Sequence, residues 1–147
     1  MGESGRPAED LYDFLVLALR ELKHDRDMSL PSAGLLSSIA RRGPQRITAL
    51  AAVEGISQPS MTQLVGRHEG RGLVRRTADP EDARATLVEL TDAGVEALRE
   101  RRRGSSERIG TLLAALPAEQ ADAITGAVAA ALPALRARAD ETDPMPA

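Results

Sequence analysis

Residues 56–94 read ISQPSMTQLVGRHEGRGLVRRTADPEDARATLVELTDAG, and two boundaries inside this stretch decide the fold. Ser57 is a strong helix N-cap, and Pro59 fits a first turn, where backbone amides have no intrahelical partners. The helix that follows runs to about Arg71, with Met61, Leu64, Val65 and His68 on one face. Just upstream, a short helix runs from Ile47 or Thr48 to Glu54. It buries Leu50, Ala51 and Val53 and places Gly55 in a left-handed position at its end. Two helices joined by a short turn containing Gly make a helix-turn-helix, but an ordinary helical corner has the same geometry.

The downstream half separates the two. Gly72 ends the helix, Leu73–Thr77 reads as a strand, and residues 78–83 read as a turn through Asp79-Pro80-Glu81-Asp82. Thr86–Leu90, rich in β-branched residues, is the returning strand. A helix-turn-helix followed directly by a two-stranded ribbon is a winged helix. Its second helix suits the major groove of DNA, and its wing suits the flanking backbone or minor groove. Two strands alone are marginal in water, so this hairpin leans on the preceding helices. Opposite its apolar face, the second helix shows Pro59, Ser60, Gln63, Arg67 and Gly70. Gln58 and Ser60 lie in its first turn, and Thr62 flanks the face. Gln63 is suited to adenine, and Arg67 to guanine or phosphate. The exposed amides at the helix start favour an acceptor on phosphate or base. For each side chain singly, simple solvation is an equal alternative.

The rest of the chain reads as helices. Leu11, Phe14, Leu15, Ala18 and Leu22 form a stripe from Ala8 to about His24, and HDRDMS then breaks the pattern. Pro31 suits the first turn of a helix burying Leu35, Leu36 and Ile39, which stops at Arg41-Arg42-Gly43-Pro44. Thr91 caps a long helix reaching about Ala115, with a polar Arg101–Ser106 middle where a bend is expected. After Pro117, Ala121, Ile124, Val128, Ala131, Leu132 and Leu135 form a last stripe. Pro133 is expected to end or kink that helix, with disorder from Ala139 onward. The fold class is mainly α.

Composition agrees. Of 147 residues, 42% are apolar but only 1% aromatic, which suits packed helices better than β-rich folds. Without Cys there are no disulfides, thiolate zinc sites, iron–sulfur clusters or thiol sensors. With only His24 and His68, no Gly-rich phosphate loop and no metal-ligand spacing, the chain reads as no enzyme and needs neither metal nor cofactor. Its acid pairs fall in turns and helix starts, where capping explains them. No apolar run approaches membrane-spanning length and the N-terminus is polar and acidic, so no membrane contact and a cytoplasmic location are expected.

The net charge of −3 argues against nucleic acid until it is divided. Residues 1–40 hold four basic and seven acidic side chains, residues 41–108 thirteen and ten, and residues 109–147 two and five. The ends are each −3 and the middle is +3, coinciding with the winged helix and the helix after it. Exposed charges are screened beyond roughly 8–10 Å, so a partner meets the local patch. Every basic residue in that middle segment is Arg, which offers bidentate contacts to phosphate and guanine.

Asp79-Pro80-Glu81-Asp82-Ala83-Arg84, then Val88-Glu89-Leu90-Thr91-Asp92-Ala93-Gly94, resembles the wing signature of MarR-type transcriptional regulators. Arg46-Ile47-Thr48-Ala49-Leu50-Ala51 and Gly72-Leu73-Val74-Arg75-Arg76 sit where that family has similar segments, and the likeness spans roughly Asp10 to Leu135. The resemblance implies that Arg84 enters the minor groove while Asp82 holds it. The DNA-contact set is then Gln58, Pro59, Ser60, Thr62, Gln63, Arg67, Arg75, Arg76, Asp82 and Arg84. There are departures: Ala83 replaces a frequent second Arg, His68 stands where Leu is usually buried, and Gly66 replaces a polar residue. His68 is expected to be a core imidazole bonded to backbone, with a metal or pH-sensing role as the alternative.

The resemblance also implies a helical dimerisation region over residues 8–30 and 92–139, a DNA-binding region over 31–91, and disordered tails at 1–7 and 140–147. A homodimer would bind a pseudo-palindromic double-stranded site with recognition helices on the order of 34 Å apart. It would act as a repressor released by a small-molecule effector, in a cleft drawing on the first, second and fifth helices. With Tyr12 and Phe14 the only aromatics, that cleft is expected to be aliphatic. The alternative is a winged-helix module used for protein contacts alone.

Overall fold

In a computed structural model, the described residues are 7–22 and 28–142. Six helices and three short strands follow in the order α1 (Pro7–Leu22), α2 (Leu30–Arg42), β1 (Gln45–Arg46), α3 (Ile47–Glu54), α4 (Gln58–Gly70), β2 (Val74–Ala78), β3 (Thr86–Leu90), α5 (Asp92–Ala114) and α6 (Ala118–Thr142). Ser29 starts α2: its hydroxyl accepts the Ser32 amide at 3.4 Å, with Pro31 in the first turn. Ser57 does the same for α4, accepting the Ser60 amide at 3.3 Å.

α4 closes with paired hydrogen bonds. The Gly72 amide donates to the Glu69 carbonyl and the Leu73 amide to the His68 carbonyl, both at 2.9 Å, with Gly72 at φ 71°. That pairing needs a left-handed residue after the helix, which is the use of glycine here. It delivers Leu73 and Val74 into the core, where they join Leu35, Leu36, Ile39, Leu50, Met61, Leu64, Val65 and Val88. The core therefore lies among α2, α3, α4 and the sheet. Leu50 and Ala51 are buried as expected, whereas Val53 is 36% exposed, because an eight-residue helix has only one face to bury.

The sheet has three strands rather than the expected two, in the order β1-β3-β2, all antiparallel. The added strand is only Gln45–Arg46, paired with Val88 and Leu87. It gives the wing hairpin a hydrogen-bonded edge on the body of the domain, which a free ribbon lacks. β2 begins at Val74, one residue later than expected, since Leu73 is occupied in closing α4.

α5 is fastened to this point. The Thr91 hydroxyl caps it, accepting the Gly94 amide at 3.1 Å, and donates to the Gly72 carbonyl at 2.6 Å. The Thr91 amide donates to the Leu73 carbonyl at 3.2 Å. α5 runs unbroken through Arg101–Ser106, where a bend was expected. Arg101 is buried there and donates to the Met28 carbonyl at 2.5 Å, so the polar middle is tied inward.

α6 continues through Pro133 to Thr142 instead of ending near it. A proline removes one helical hydrogen bond, and the flanking run of Ala and Leu, strong helix formers, sustains the helix on both sides. Residues 140–142 belong to α6, and Pro7 opens α1. Residues 1–6, 23–27 (with the expected end of the first helix at His24) and 143–147 lie outside the described residues.

Gly94 provides a test of the junction. A Cβ built there lands on the backbone carbonyl of Leu73, which cannot swing aside. Gly94→Ala is expected to destabilise the chain by about 1–3 kcal/mol in denaturant unfolding. A variant as stable as the parent would show that α5 is not pressed against this junction.

Candidate nucleic-acid interface

α4 presents its polar face to solvent because its other face is spent on the core. Met61, Leu64, Val65 and His68 are buried, while Gln58, Pro59, Ser60, Thr62, Gln63 and Arg67 are exposed. Their polar groups are not equally available. The Ser60 hydroxyl is 2.8 Å from that of Ser57, and the Thr62 hydroxyl donates to the Gln58 carbonyl at 2.9 Å. Among the described residues, the side chains of Gln58, Gln63 and Arg67 have no hydrogen-bond or ionic partner. An exposed amide and guanidinium one turn apart, left unengaged, are suited to grasp an external acceptor.

The wing adds three arginines of two kinds. Arg75 pairs with Glu89 across the β2–β3 ladder, where the two residues stand directly opposite. Arg76 pairs with Glu69 of α4 at 3.2 Å. Both face solvent but carry their counter-charge with them. Arg84, in the wing loop, is exposed and has no such partner among the described residues.

Here the structure corrects the expected role of Asp82. Its carboxylate accepts the backbone amide of Arg84 at 3.0 Å rather than gripping the guanidinium, and its carbonyl accepts the Ala85 amide at 2.8 Å. A short aspartate two residues upstream reaches the main chain more readily than a side-chain tip, so Asp82 shapes the loop.

The acid that does hold an arginine is Asp79. Its Oδ2 accepts from Nε of Arg46 at 2.7 Å and lies 2.5 Å from Nη2, while Oδ1 accepts the Glu81 amide at 2.9 Å. Those bonds, first the Glu81 amide and then Arg46, hold the Asp79 carboxyl below its ordinary range. Neither Arg46 nor Asp79 was among the residues singled out from sequence as contacts. One signal was present. Arg46 is the N-cap of α3 and makes no capping bond there. A cation at the positive end of a helix dipole is out of place unless something else holds it.

His68 also differs from expectation. It is 2% exposed, but neither ring nitrogen finds a hydrogen-bond partner among the described residues. Burial first, then Arg71 and Arg67, depress its pKa below 6.5. The neutral ring is therefore the native form.

The sequence profile of the MarR family matches residues 28–86, from just before α2 into the first residue of β3. The chain is also 28% identical over 130 residues to an HTH-type transcriptional regulator of Mycobacterium tuberculosis, covering 86% of this chain and 91% of that one. Over its helix-turn-helix and wing the chain is thus similar to MarR-family proteins. Its fold is a winged helix-turn-helix. Its fold superposes on apo MarR from E. coli with a TM-score of 0.75 at 19% identity, covering 89% of this chain and 99% of the other. It also superposes on the transcriptional repressor CouR bound to a 23-mer DNA duplex, with a TM-score of 0.64 at 22% identity over 85% and 91% of the two chains.

The buried imidazole makes a pH test of this domain. A depressed histidine pKa gives stability that is complete above the free value of 6.5 and is lost as pH falls from there through the native value. His68→Leu also removes an unpaired buried polar group, whose cost is roughly 1–3 kcal/mol. The variant should be the more stable, and its advantage over the parent should widen from pH 7.5 to 5.5 in thermal melts. An advantage constant with pH would show that the ring is not held neutral.

Proposed function

We propose that the chain is a homodimeric repressor of the cytoplasm that binds a pseudo-palindromic site on double-stranded DNA and releases it when a small anionic effector binds. The observation that carries this reading is the exposed face of α4, with Gln63 and Arg67 unengaged among the described residues, beside a wing loop whose Arg84 is equally unengaged. A helix of this length fits the major groove and the wing loop fits the adjoining minor groove. Gln63 reads adenine, and Arg67 reads guanine or clamps phosphate. Gln58, Pro59, Ser60 and Thr62 bring the start of the helix against the DNA backbone. Arg84 enters the minor groove from a loop shaped by Asp82, and Arg75 and Arg76 contact flanking backbone after exchanging or sharing their carboxylates. The reading contains no catalytic step and no cofactor.

Support for the dimer is the apolar surface left uncovered at the two ends of the chain. On α1, Leu11 is 58% exposed, Tyr12 67% and Leu17 57%; on α6, Val128 is 51% and Leu135 62%. An intramolecular core would have hidden these residues. Two copies related by a two-fold axis would cover them together and set the two α4 helices about one DNA turn apart.

The effector reading rests on a groove of about 370 Å³ between α2 and α5. Ala33, Ala40 and Leu98 give it an aliphatic part. Arg41, Arg101 and Arg102 line it with Ser37, Ser105 and Leu98, a set suited to a small anion with an apolar body.

Two substitutions separate the roles on DNA. Arg84→Ala should lower affinity by about tenfold for every sequence, as expected for loss of one minor-groove cation. Gln63→Ala should instead cost about 1–3 kcal/mol of discrimination at one base position per half-site, seen by gel shift on a set of single-base variants. Unchanged binding by Arg84→Ala would remove the wing from the interface, and an unchanged base preference in Gln63→Ala would remove Gln63 from readout.

A further inference from the structure

Arg46 and Asp79 remain unassigned. They stand 33 residues apart and meet where the wing leaves the domain. In the sheet, Arg46 lies opposite Leu87, which lies opposite Thr77 on its other side, so the three form one rung. The next rung, Ala78 with Thr86, is the last before the wing loop. Arg46 thus sits at the wing end of the sheet and simultaneously at the first residue before α3. Its partner is buried, the Asp79 side chain being 6% exposed, while the Arg46 side chain is 46% exposed. Oδ2 of Asp79 takes Nε and Nη2, and Nη1 has no partner among the described residues. Beside the pair, a cleft of about 510 Å³ opens between the start of α3 and the wing root.

A guanidinium has five N–H donors fixed in one plane, so a carboxylate gripping one edge aims the other. We propose that Asp79 is a positioning residue that aims the outer edge of Arg46 at a DNA backbone phosphate lying between the α4 groove and the wing, making Arg46 a contact residue in its own right. The same bond fixes the angle of the wing, so loss of Asp79 disturbs both. Glu81 and Asp82 lie near enough to act on the Arg46 charge and oppose a phosphate there. The buried carboxylate fixing the donor plane is what allows the contact beside them. This inference rests on the DNA-binding reading above.

The experiment uses the full chain and a duplex selected by the wild-type protein from a random-sequence pool. Affinity is measured from about 50 to 200 mM salt, the range over which phosphate contacts register as the slope of log affinity against log salt. Each phosphate neutralised contributes roughly 0.9 to that slope on duplex DNA. Arg46→Gln should bind about tenfold more weakly, with a slope shallower by about 1. Asp79→Asn should weaken binding severalfold in the wild-type background and add little to Arg46→Gln, because Asp79 acts through Arg46. A wild-type slope in Arg46→Gln overturns the proposal, as does an Asp79→Asn loss of equal size in both backgrounds. Circular dichroism accompanies each variant. Should Arg46→Gln not fold, Arg46→Lys, which keeps the charge without the fork, replaces it in the cycle with Asp79→Asn, and additive losses there overturn the proposal equally. A wild-type protein that enriches no sequence from the pool contradicts the DNA-binding reading itself and takes this inference with it.

Discussion

The carbonyl of Leu73 is the point on which the fold turns. It accepts the Thr91 amide, and the oxygen leaves no space for a side chain at Gly94. One residue earlier, the Gly72 carbonyl receives the Thr91 hydroxyl. The end of α4, the root of the wing and the start of α5 are therefore joined within a few ångströms. A buried backbone carbonyl must be paired, so this junction cannot open without stranding polar groups. The helix proposed to face DNA is in this way mechanically continuous with the helix that lines the α2–α5 groove and leads toward the uncovered apolar ends.

That continuity suggests how binding at one end is felt at the other. α5 carries Gly94 at the junction and, two turns along, the buried Arg101, whose bond to the Met28 carbonyl reaches the segment just before α2. An anion bound in the groove, as proposed, would compete with the Met28 carbonyl for Arg101. A ligand moves an equilibrium only by the difference in its affinity for the two states, and Arg101 is where such a difference would arise.

Much of this was legible in the sequence because each signal had a local cause. Ser57, Pro59, Gly55, Gly72 and Thr91 mark ends of elements through their own backbone and capping chemistry, and the structure places each at such an end. The buried face of α4 followed from helical spacing alone. The missed features depend on distant partners. A two-residue strand at Gln45–Arg46 has no periodicity to read and exists only because β3 lies beside it. Asp79 and Asp82 are equivalent as letters in one turn, and which of them meets an arginine is decided 33 residues away. Pro133 is expected to end or kink its helix by local rules, and the surrounding helix formers carry the helix through it. His68 was expected to find a backbone partner, a matter of tertiary placement that the helical period does not address.

The central claim is that two copies of this chain, joined through the apolar faces of α1 and α6, set two α4 helices and two wings on one face of a DNA duplex. Hydroxyl-radical footprinting of the protein on its selected duplex tests that most directly, since it reports the backbone positions covered on each strand. The account predicts two symmetric protected patches centred about one helical turn apart, each flanked on its outer side by a shorter minor-groove patch that disappears in Arg84→Ala. A single asymmetric patch, or protection without the flanking pair, would contradict it.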